Sequence, residues 1–199
     1  MIKTLYPIFQ HWSEKGSVYI ISDTHFDDED RKYMGYNISE QEQISILKQF
    51  CHKNDTLIHL GDVGNPEWLN ELKCYKILIM GNHDQSVKKF KTYFNEIYSG
   101  PLMIAEKLLL SHEPICLESG MVRKAIAFNV HGHDHSGEYY NDNFHLNLVP
   151  NVFGYFPLNL KQIIDEGLLK NIISIHRQII DAATERKKMI NNEQYMDNI

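Results

Sequence analysis

Short hydrophobic runs that stop abruptly at polar residues dominate the first half of the chain. They occupy residues 18–22, 56–60 and 75–80, and they are rich in isoleucine and leucine. Runs of this length and composition predict buried β-strands. Each run ends at a cluster of aspartate, asparagine or histidine. The pattern therefore predicts polar side chains gathered at the carboxyl ends of neighbouring strands.

The segments between these runs have helical patterns. Residues 39–42 match a capping box, and Ile44, Leu47 and Phe50 then recur at helical spacing. Residues 66–72 predict a short helix with proline in its first turn. Alternating strands and helices predict parallel βαβ units and an α/β layered fold.

Hydrophobic runs in the second half are shorter and favour hairpins. A turn is predicted at Gly100-Pro101 and another at residues 141–143. The predicted strands lie at residues 97–99, 102–105, 108–111, 127–131 and 144–149.

The tail over residues 158–191 is helical in pattern, with a broad apolar face followed by charged residues 185–188. We expect it to pack on a single domain formed by residues 1–199, a size that suits one compact unit. The alternative is that this face joins two copies of the chain in a homodimer.

Composition limits the partners and the setting. Hydrophobic residues make up 43% of the chain, enough for a sizeable core, and the net charge of −6 disfavours bulk nucleic acid as a partner. The three cysteines have no paired spacing, which favours a reduced, cytoplasmic setting. No apolar run reaches bilayer length and the amino terminus does not resemble a signal peptide, so no membrane partner is expected.

Polar clusters after the predicted strands carry the candidate chemistry. In chain order they are Asp23-Thr24-His25, Gly61-Asp62, Gly81-Asn82-His83-Asp84, Ser111-His112 and Gly132-His133-Asp134-His135. Ligands of open α/β sheets bind beyond the carboxyl ends of the strands. Carboxylates, imidazoles and an amide, without a thiolate, suit divalent ions such as Mn, Fe or Zn. Residues two apart in an extended chain point the same way, so Asp23 presents its side chain beside that of His25. His133 and His135 form a second such pair.

These clusters, in this order, resemble the calcineurin-like metallophosphoesterase superfamily, whose pattern is DxH, GDxx, GNHD/E, H and GHxH. The match extends from Asp23 to His135. It is most similar to the small single-domain bacterial and phage phosphoesterases. The resemblance implies a four-layer αββα sandwich of two mixed β-sheets flanked by helices. It also implies two divalent metal ions (Mn, Fe, Zn or Ni) at the carboxyl ends of the strands.

The resemblance also implies a role for each matching residue. The first metal would be held by Asp23, His25, Asp62 and His135. The second would be held by Asp62, Asn82, His112 and His133, with Asp62 bridging both ions. His83 would face the scissile phosphate as the catalytic group, and Asp84 would orient its ring.

The chemistry expected of such a centre is hydrolysis of a phosphate ester. Two ions about 3.5–4 Å apart share a water and make hydroxide available for in-line attack on phosphorus. Asn82 and the ions neutralise charge on the phosphoryl oxygens, and His83 protonates the leaving alkoxide. We expect phosphomonoesters or phosphodiesters as substrates, small nucleotides included.

The loop of residues 26–38 should overhang this centre because it follows His25 directly. Arg31 is a candidate phosphate ligand, since guanidinium matches phosphate oxygens, and Tyr33 or Tyr36 is a candidate to stack on a base. The alternative is a solvated acidic loop in which Arg31 pairs with its neighbours.

Two departures and two alternatives bear on the function. The arginines that phosphoprotein phosphatases carry after Gly-Asp and Gly-Asn-His are missing from residues 61–65 and 81–85, which disfavours that activity. A compact nuclease is disfavoured by the acidic charge balance, and a non-catalytic scaffold of the same fold by the complete ligand set. His59 and His131 fall outside the pattern, so we expect them to be buried and hydrogen-bonded.

Overall fold

The computed structural model describes part of the chain, namely residues 3–4, 16–104, 108–116, 126, 128–137 and 144–161. The turn expected at residues 141–143 lies outside these ranges. So does the tail beyond residue 161, together with the homodimer contact expected of it.

Two mixed sheets and flanking helices make up the described fold. The strands are β1 (Lys3–Thr4), β2 (Val18–Ile21), β3 (Thr56–His59), β4 (Tyr75–Ile79), β5 (Glu96–Tyr98), β6 (Leu102–Ile104), β7 (Leu108–Leu110), β8 (Phe128–His131), β9 (His145–Asn147) and β10 (Leu158–Asn159). The α-helices are α1 (Glu40–Phe50), α2 (Val87–Phe90) and α3 (Pro150–Phe153), and 3₁₀ helices span Glu29–Lys32 and Pro66–Glu71. The α/β class is confirmed.

Strand pairing brings the polar clusters to one edge. The first sheet has the order β10-β2-β3-β4-β5, in which β2 to β5 run parallel and β10 is antiparallel to β2. The second sheet has the order β1-β6-β7-β8-β9, in which only the β6–β7 pair is antiparallel. Parallel strands end at the same edge, so the clusters after β2, β3 and β4 are neighbours.

Two expectations for the second half were wrong. Gly100-Pro101 does not turn a hairpin, because β5 pairs with β4 in the first sheet while β6 lies in the second. Leu158 and Asn159, expected to begin a helix, form β10 against β2. Strands of two or three residues contain no pattern long enough to specify their partner.

The main core lies between the two sheets. Ile20, Ile58 and Ile77 of the first sheet share it with Leu110 and Val130 of the second. The other face of the first sheet packs on α1 in a separate cluster. Because the first sheet is covered on both faces, its strands read as continuous apolar runs rather than as alternating ones.

Helix α1 begins at the predicted capping box. The Ser39 hydroxyl accepts the backbone N–H of Glu42, and the Glu42 carboxylate accepts the backbone N–H of Ser39 at 2.8 Å. These bonds satisfy backbone donors that a helix start otherwise leaves unpaired.

Arg31 is anchored inside the protein and is not placed to bind substrate. Its side chain is buried, and its guanidinium donates to the Thr24 carbonyl and, at 3.2 Å, to the Gln43 side chain. It also donates to the Ile38 carbonyl and pairs with Glu40 at 3.2 Å. This corrects the expectation of a phosphate contact. The alternative, that Arg31 pairs with its neighbours, is what the structure has.

Tyr36 also contacts the protein interior, and stacking of Tyr33 or Tyr36 on a base stays a prediction. Its hydroxyl donates to the Asp23 carbonyl, and its ring lies 4.5 Å from the Arg31 guanidinium carbon. Tyr33, by contrast, is 78% exposed. The loop of residues 26–38 is therefore fastened from inside at Arg31 and Tyr36.

Replacing Arg31 by methionine should lower the free energy of unfolding by about 3–5 kcal/mol, because it breaks a buried charge network and leaves carbonyls unpaired. Denaturant unfolding measures the loss. The matched control is Lys32→Met at the neighbouring exposed position, which should change stability by about 0.5 kcal/mol or less. Equal effects of the two substitutions would contradict the anchoring role of Arg31.

His59 and His131 are buried and hydrogen-bonded, as expected. The Thr24 hydroxyl donates to the Val63 carbonyl and therefore accepts the Nε2–H of His59. The other ring nitrogen of His59 accepts the backbone N–H of Gly61 at 3.1 Å. This arrangement requires the neutral ring, and burial lowers the pKa of His59 to about 4.

Acid should therefore destabilise the metal-free protein through His59. The unfolded chain takes up this proton below about pH 6.5, whereas the folded protein resists it down to about 4. The contribution of neutral His59 to the free energy of unfolding is complete above pH 6.5. It is lost as pH falls through that window, with a limiting slope of about 1.4 kcal/mol per pH unit. Unfolding measured against pH should show a shallower slope in His59→Gln than in the wild type. Parallel curves would refute this assignment.

Candidate metal centre

The ends of β2 and β3 remain side by side after their ladder stops. The backbone N–H of Asp23 donates to the Gly61 carbonyl at 2.9 Å, and that of His25 donates to the Asp62 carbonyl at 3.0 Å. The loops that carry the first two clusters are therefore held in register. Their acidic side chains emerge next to one another.

The second sheet is joined to the same place. The backbone N–H of Gly132 donates to the His112 carbonyl at 2.9 Å, which pairs the loops after β7 and β8. The backbone N–H of His133 then donates to the Asp23 carboxylate at 3.0 Å. A hydrogen bond thus crosses from one sheet to the other at the candidate site.

Backbone strain is concentrated at these residues. Asp23, His25, Asp62 and His133 all have φ between 43° and 69°, in the left-handed region. Residues other than glycine uncommonly adopt it, aspartate and histidine more readily than most, and each instance costs about 1–3 kcal/mol. Four of the predicted ligands are therefore held in unfavourable backbone conformations that aim them into one space.

Two glycines leave room for the carboxylates. A Cβ on Gly81 would collide with the Asp62 side chain, and one on Gly132 would collide with Ser22 and Asp23. Only glycine permits the backbone to pass this close to both acidic groups.

Asp23, His25 and His135 form the first group of candidate ligands. One nitrogen or oxygen from each lies within 4.8 Å of the others. The Asp23 Oδ1 atom is 3.9 Å from His25 Nε2 and 3.6 Å from His135 Nε2. Asp23 Oδ1 and His25 Nε2 are buried without a hydrogen-bond partner among the described residues. Such orphaned polar atoms are rare and costly unless another group binds them.

Asp62, His112 and His133 form the second group. His112 Nε2 lies 3.3 Å from Asp62 Oδ2 and 3.1 Å from His133 Nδ1. The Asn82 carbonyl oxygen completes the group, at 2.8 Å from the same His112 nitrogen and 3.1 Å from His133 Nδ1. The structure thus brings all seven residues predicted as ligands close together, and their division between two metals stays a prediction.

Partners outside the cluster determine which nitrogen each ring presents. His112 Nδ1 lies 3.0 Å from the Leu60 carbonyl, which only accepts, so the ring donates there. His25 Nδ1 lies 2.9 Å from the Asp28 carboxylate, and His135 Nδ1 lies 3.0 Å from the Asn151 carbonyl oxygen. Each neutral ring therefore turns an Nε2 lone pair toward the centre, an arrangement typical of metal-bound histidine. Lone pairs that converge on carboxylate oxygens fit a bound cation.

The charges of the site also favour a bound cation. Burial acts to raise the pKa of Asp62, but a protonated His112 outweighs it through a hydrogen bond and its charge and holds the pKa at about 2. The pKa of Asp23 is also lowered, by His135 and His112, against the effect of burial. Both carboxylates are therefore ionised at neutral pH. In turn, Asp62 and Asp23 raise the pKa of His112 and of His135 in spite of their burial, so the centre attracts positive charge.

Asp84 braces the backbone around Asp62. Its buried carboxylate accepts the N–H groups of Asp62 at 2.8 Å, Val63 at 3.1 Å and Gly81 at 3.0 Å. These bonds tie the loop after β3 to the loop after β4. That Asp84 also orients the His83 ring stays a prediction.

His83 and Asn82 lie at the mouth of the centre. Both side chains are exposed. The backbone N–H of His83 donates to Asp62 Oδ1 at 2.9 Å, and its ring centroid lies 5.5 Å from that of His25. His83 is thus beside the candidate ligands and accessible to a substrate.

Asp28 and Asn151 hold candidate ligands in place, and the sequence did not reveal them. Asp28 follows His25 by three residues and accepts a hydrogen bond from its ring. A turn predicted after the first cluster would have indicated this contact. Asn151 also donates to the His135 carbonyl at 2.8 Å, so it binds both the ring and the backbone of His135. It lies sixteen residues away on α3, and no local pattern connects the two.

Within the part of the chain that the structure describes, no helix combines the length and the apolar character needed to cross a bilayer.

Comparison with known proteins identifies the family of the chain. The model of the calcineurin-like phosphoesterase superfamily domain matches residues 17–150, and a comparison with curated proteins gives no match. The chain is similar to the crystal structure of the protein of unknown function AQ665 from Aquifex aeolicus, with 28% identity and a TM-score of 0.58. That similarity covers 75% of this chain and 98% of the other. From the family match, the chain belongs to the calcineurin-like phosphoesterase superfamily.

Proposed function

We propose that the protein is a binuclear metal-dependent phosphoesterase that hydrolyses phosphomonoesters or phosphodiesters, small nucleotide-type substrates included. The observation that carries the proposal is the position of Asp62 between the two ligand groups. Its Oδ2 atom lies 3.7 Å from His25 Nε2 in one group and 3.3 Å from His112 Nε2 in the other. A carboxylate shared in this way suits a two-metal centre.

The orphaned atoms Asp23 Oδ1 and His25 Nε2 fit such ions. The first ion would be held by Asp23, His25, Asp62 and His135, and the second by Asp62, Asn82, His112 and His133. Bound divalent ions would supply Lewis acidity toward the phosphoryl group and toward a water molecule. The donor set, which lacks sulfur, suits Mn, Fe, Zn or Ni.

The remaining chemistry belongs to the chain. His83 is exposed beside the ligand groups, where its ring can donate a proton to the leaving oxygen of a bound ester. Its position is determined by its own N–H, which Asp62 accepts, and by Asp84, which holds the loop that carries it. The Asn82 amide directs its oxygen toward His112 and His133, which leaves its nitrogen for a phosphoryl oxygen.

Asp62→Asn should impair both metal sites, because an amide replaces the shared anionic oxygen. With Mn or Ni supplied, the wild type should hydrolyse 4-nitrophenyl phosphate or bis(4-nitrophenyl) phosphate, and the variant should lose nearly all turnover. Metal content per chain, measured by elemental analysis, should fall below two. Two bound metals and normal activity in the variant would refute the shared role, and a wild type inactive on every ester would refute the function.

His83→Ala should retain metal and lose rate. Removing a proton donor costs about 10²–10⁴-fold, most of all for esters of weakly acidic alcohols, whose leaving oxygen needs the proton. The comparison is made between alkyl and nitrophenyl esters, with metal content measured in parallel. Gln85→Ala, an exposed position on the same loop, serves as the control and should behave as the wild type. Loss of metal in His83→Ala would show that His83 is a ligand rather than a proton donor.

A further inference from the structure

A cleft of about 430 Å³ opens beside the candidate metal centre. It is lined by residues 26–29 together with Gly64, Asn65 and Lys89, and by His25, His83 and Asp84 of the candidate metal centre. Sites for small organic ligands typically have volumes of about 300–1,000 Å³. The cleft is therefore large enough for the organic part of a phosphate ester.

His83 determines which part of a substrate would lie in this cleft. In the proposed function His83 protonates the leaving oxygen, so the leaving alcohol must be next to its ring. Because His83 lines the cleft, an alcohol beside its ring would extend into the cleft.

The charges along the cleft are unequal. Four carboxylates line it, those of Asp27, Asp28, Glu29 and the buried Asp84, together with the single ammonium of Lys89. The Lys89 ammonium is also engaged, since it donates to the Gly64 carbonyl at 2.8 Å. The negative charge is thus only partly balanced.

The Asp27 carboxylate is held in position. One oxygen accepts from the Asn65 amide at 2.7 Å and the other accepts from the Trp68 ring at 2.9 Å. Asp28 is bound to the ring of His25, and Glu29 is exposed to solvent. Asp27 and Asp28 therefore cannot swing away from an anionic group that enters the cleft, and a like charge there would be repelled.

We propose that this cleft holds the alcohol portion of the substrate and selects phosphate esters of cationic or neutral, hydroxyl-bearing alcohols over those whose alcohol carries a further anionic group. The proposal rests on the proposed phosphoesterase function. Carboxylates accept hydrogen bonds from ammonium and hydroxyl groups but not from a second phosphate or a carboxylate. A nucleoside or an amino alcohol fits as the leaving group, whereas an alcohol that itself carries a phosphate does not.

Three phenyl phosphates test this selection, with 4-aminomethyl, 4-hydroxymethyl and 4-carboxymethyl substituents on the leaving phenol. The three phenols have similar acidities, so the esters differ mainly in the charge that enters the cleft. With metal-loaded protein at about 0.15 M salt, where distant charges are screened, kcat/KM should fall in that order, by about tenfold from the first to the last.

Substitutions in the cleft identify the residues responsible. Glu29→Gln and Asp27→Asn should each lower the ratio of kcat/KM for the aminomethyl ester to that for the carboxymethyl ester. Lys89→Met should raise this ratio. Asparagine tolerates the left-handed backbone of Asp27, whose φ is 58°. The matched control is Asp30→Asn, an exposed acid on the same 3₁₀ helix that does not line the cleft, and it should preserve the wild-type ratio.

The outcomes separate the two proposals. Hydrolysis of the three esters at equal kcat/KM, or preference for the carboxymethyl ester, overturns the role of the cleft and leaves the phosphoesterase function standing. So does a ratio that stays at the wild-type value in both Glu29→Gln and Asp27→Asn. Hydrolysis of none of the three, together with none of the nitrophenyl esters, overturns the phosphoesterase function and the selection that depends on it.

Discussion

The carboxylate of Asp23 joins the two sheets of this protein. One oxygen accepts the Ser22 hydroxyl within the first sheet and the backbone N–H of His133 from the second. The other oxygen faces His25 and His135 and is buried without a hydrogen-bond partner among the described residues. A single buried carboxylate thus links the two sheets and forms part of the candidate metal centre. The desolvation of that anion is the constraint that the surrounding residues must offset.

The surroundings respond to this buried charge with directed hydrogen bonds. Asp28, Leu60 and Asn151 each bind the outer nitrogen of one ring, so that the inner nitrogens converge. Without a cation, these lone pairs and the carboxylates would oppose one another at short range, which is costly in a buried site. Together with the left-handed backbone at four predicted ligands, this describes a site built for binding at some expense to the stability of the fold.

The loop of residues 26–38 connects that centre to the part of the surface where selectivity arises. Arg31 and Tyr36 anchor it to the protein interior through hydrogen bonds to the carbonyls of Thr24 and Asp23. Its outer residues, Asp27 and Glu29, are left to line the cleft. The Arg31 cation thus supports the fold, and the acids that line the cleft face the proposed substrate. A rigid inner attachment gives the outer acids fixed positions.

The sequence by itself determined the α/β class, the capping box of α1, the strands that end at the clusters and the seven candidate ligands. The class, the capping box and the strands follow from local periodicity and short motifs, and the candidate ligands follow from the resemblance of the five clusters to a known family. Only the tertiary structure decided that β5 and β6 lie in different sheets, that Arg31 is internal, that Asp84 braces the backbone, and that Asn151 grips His135. Each of these depends on contacts between distant segments, whose geometry is specified by packing and by the pairing of buried polar groups rather than by neighbours in the chain.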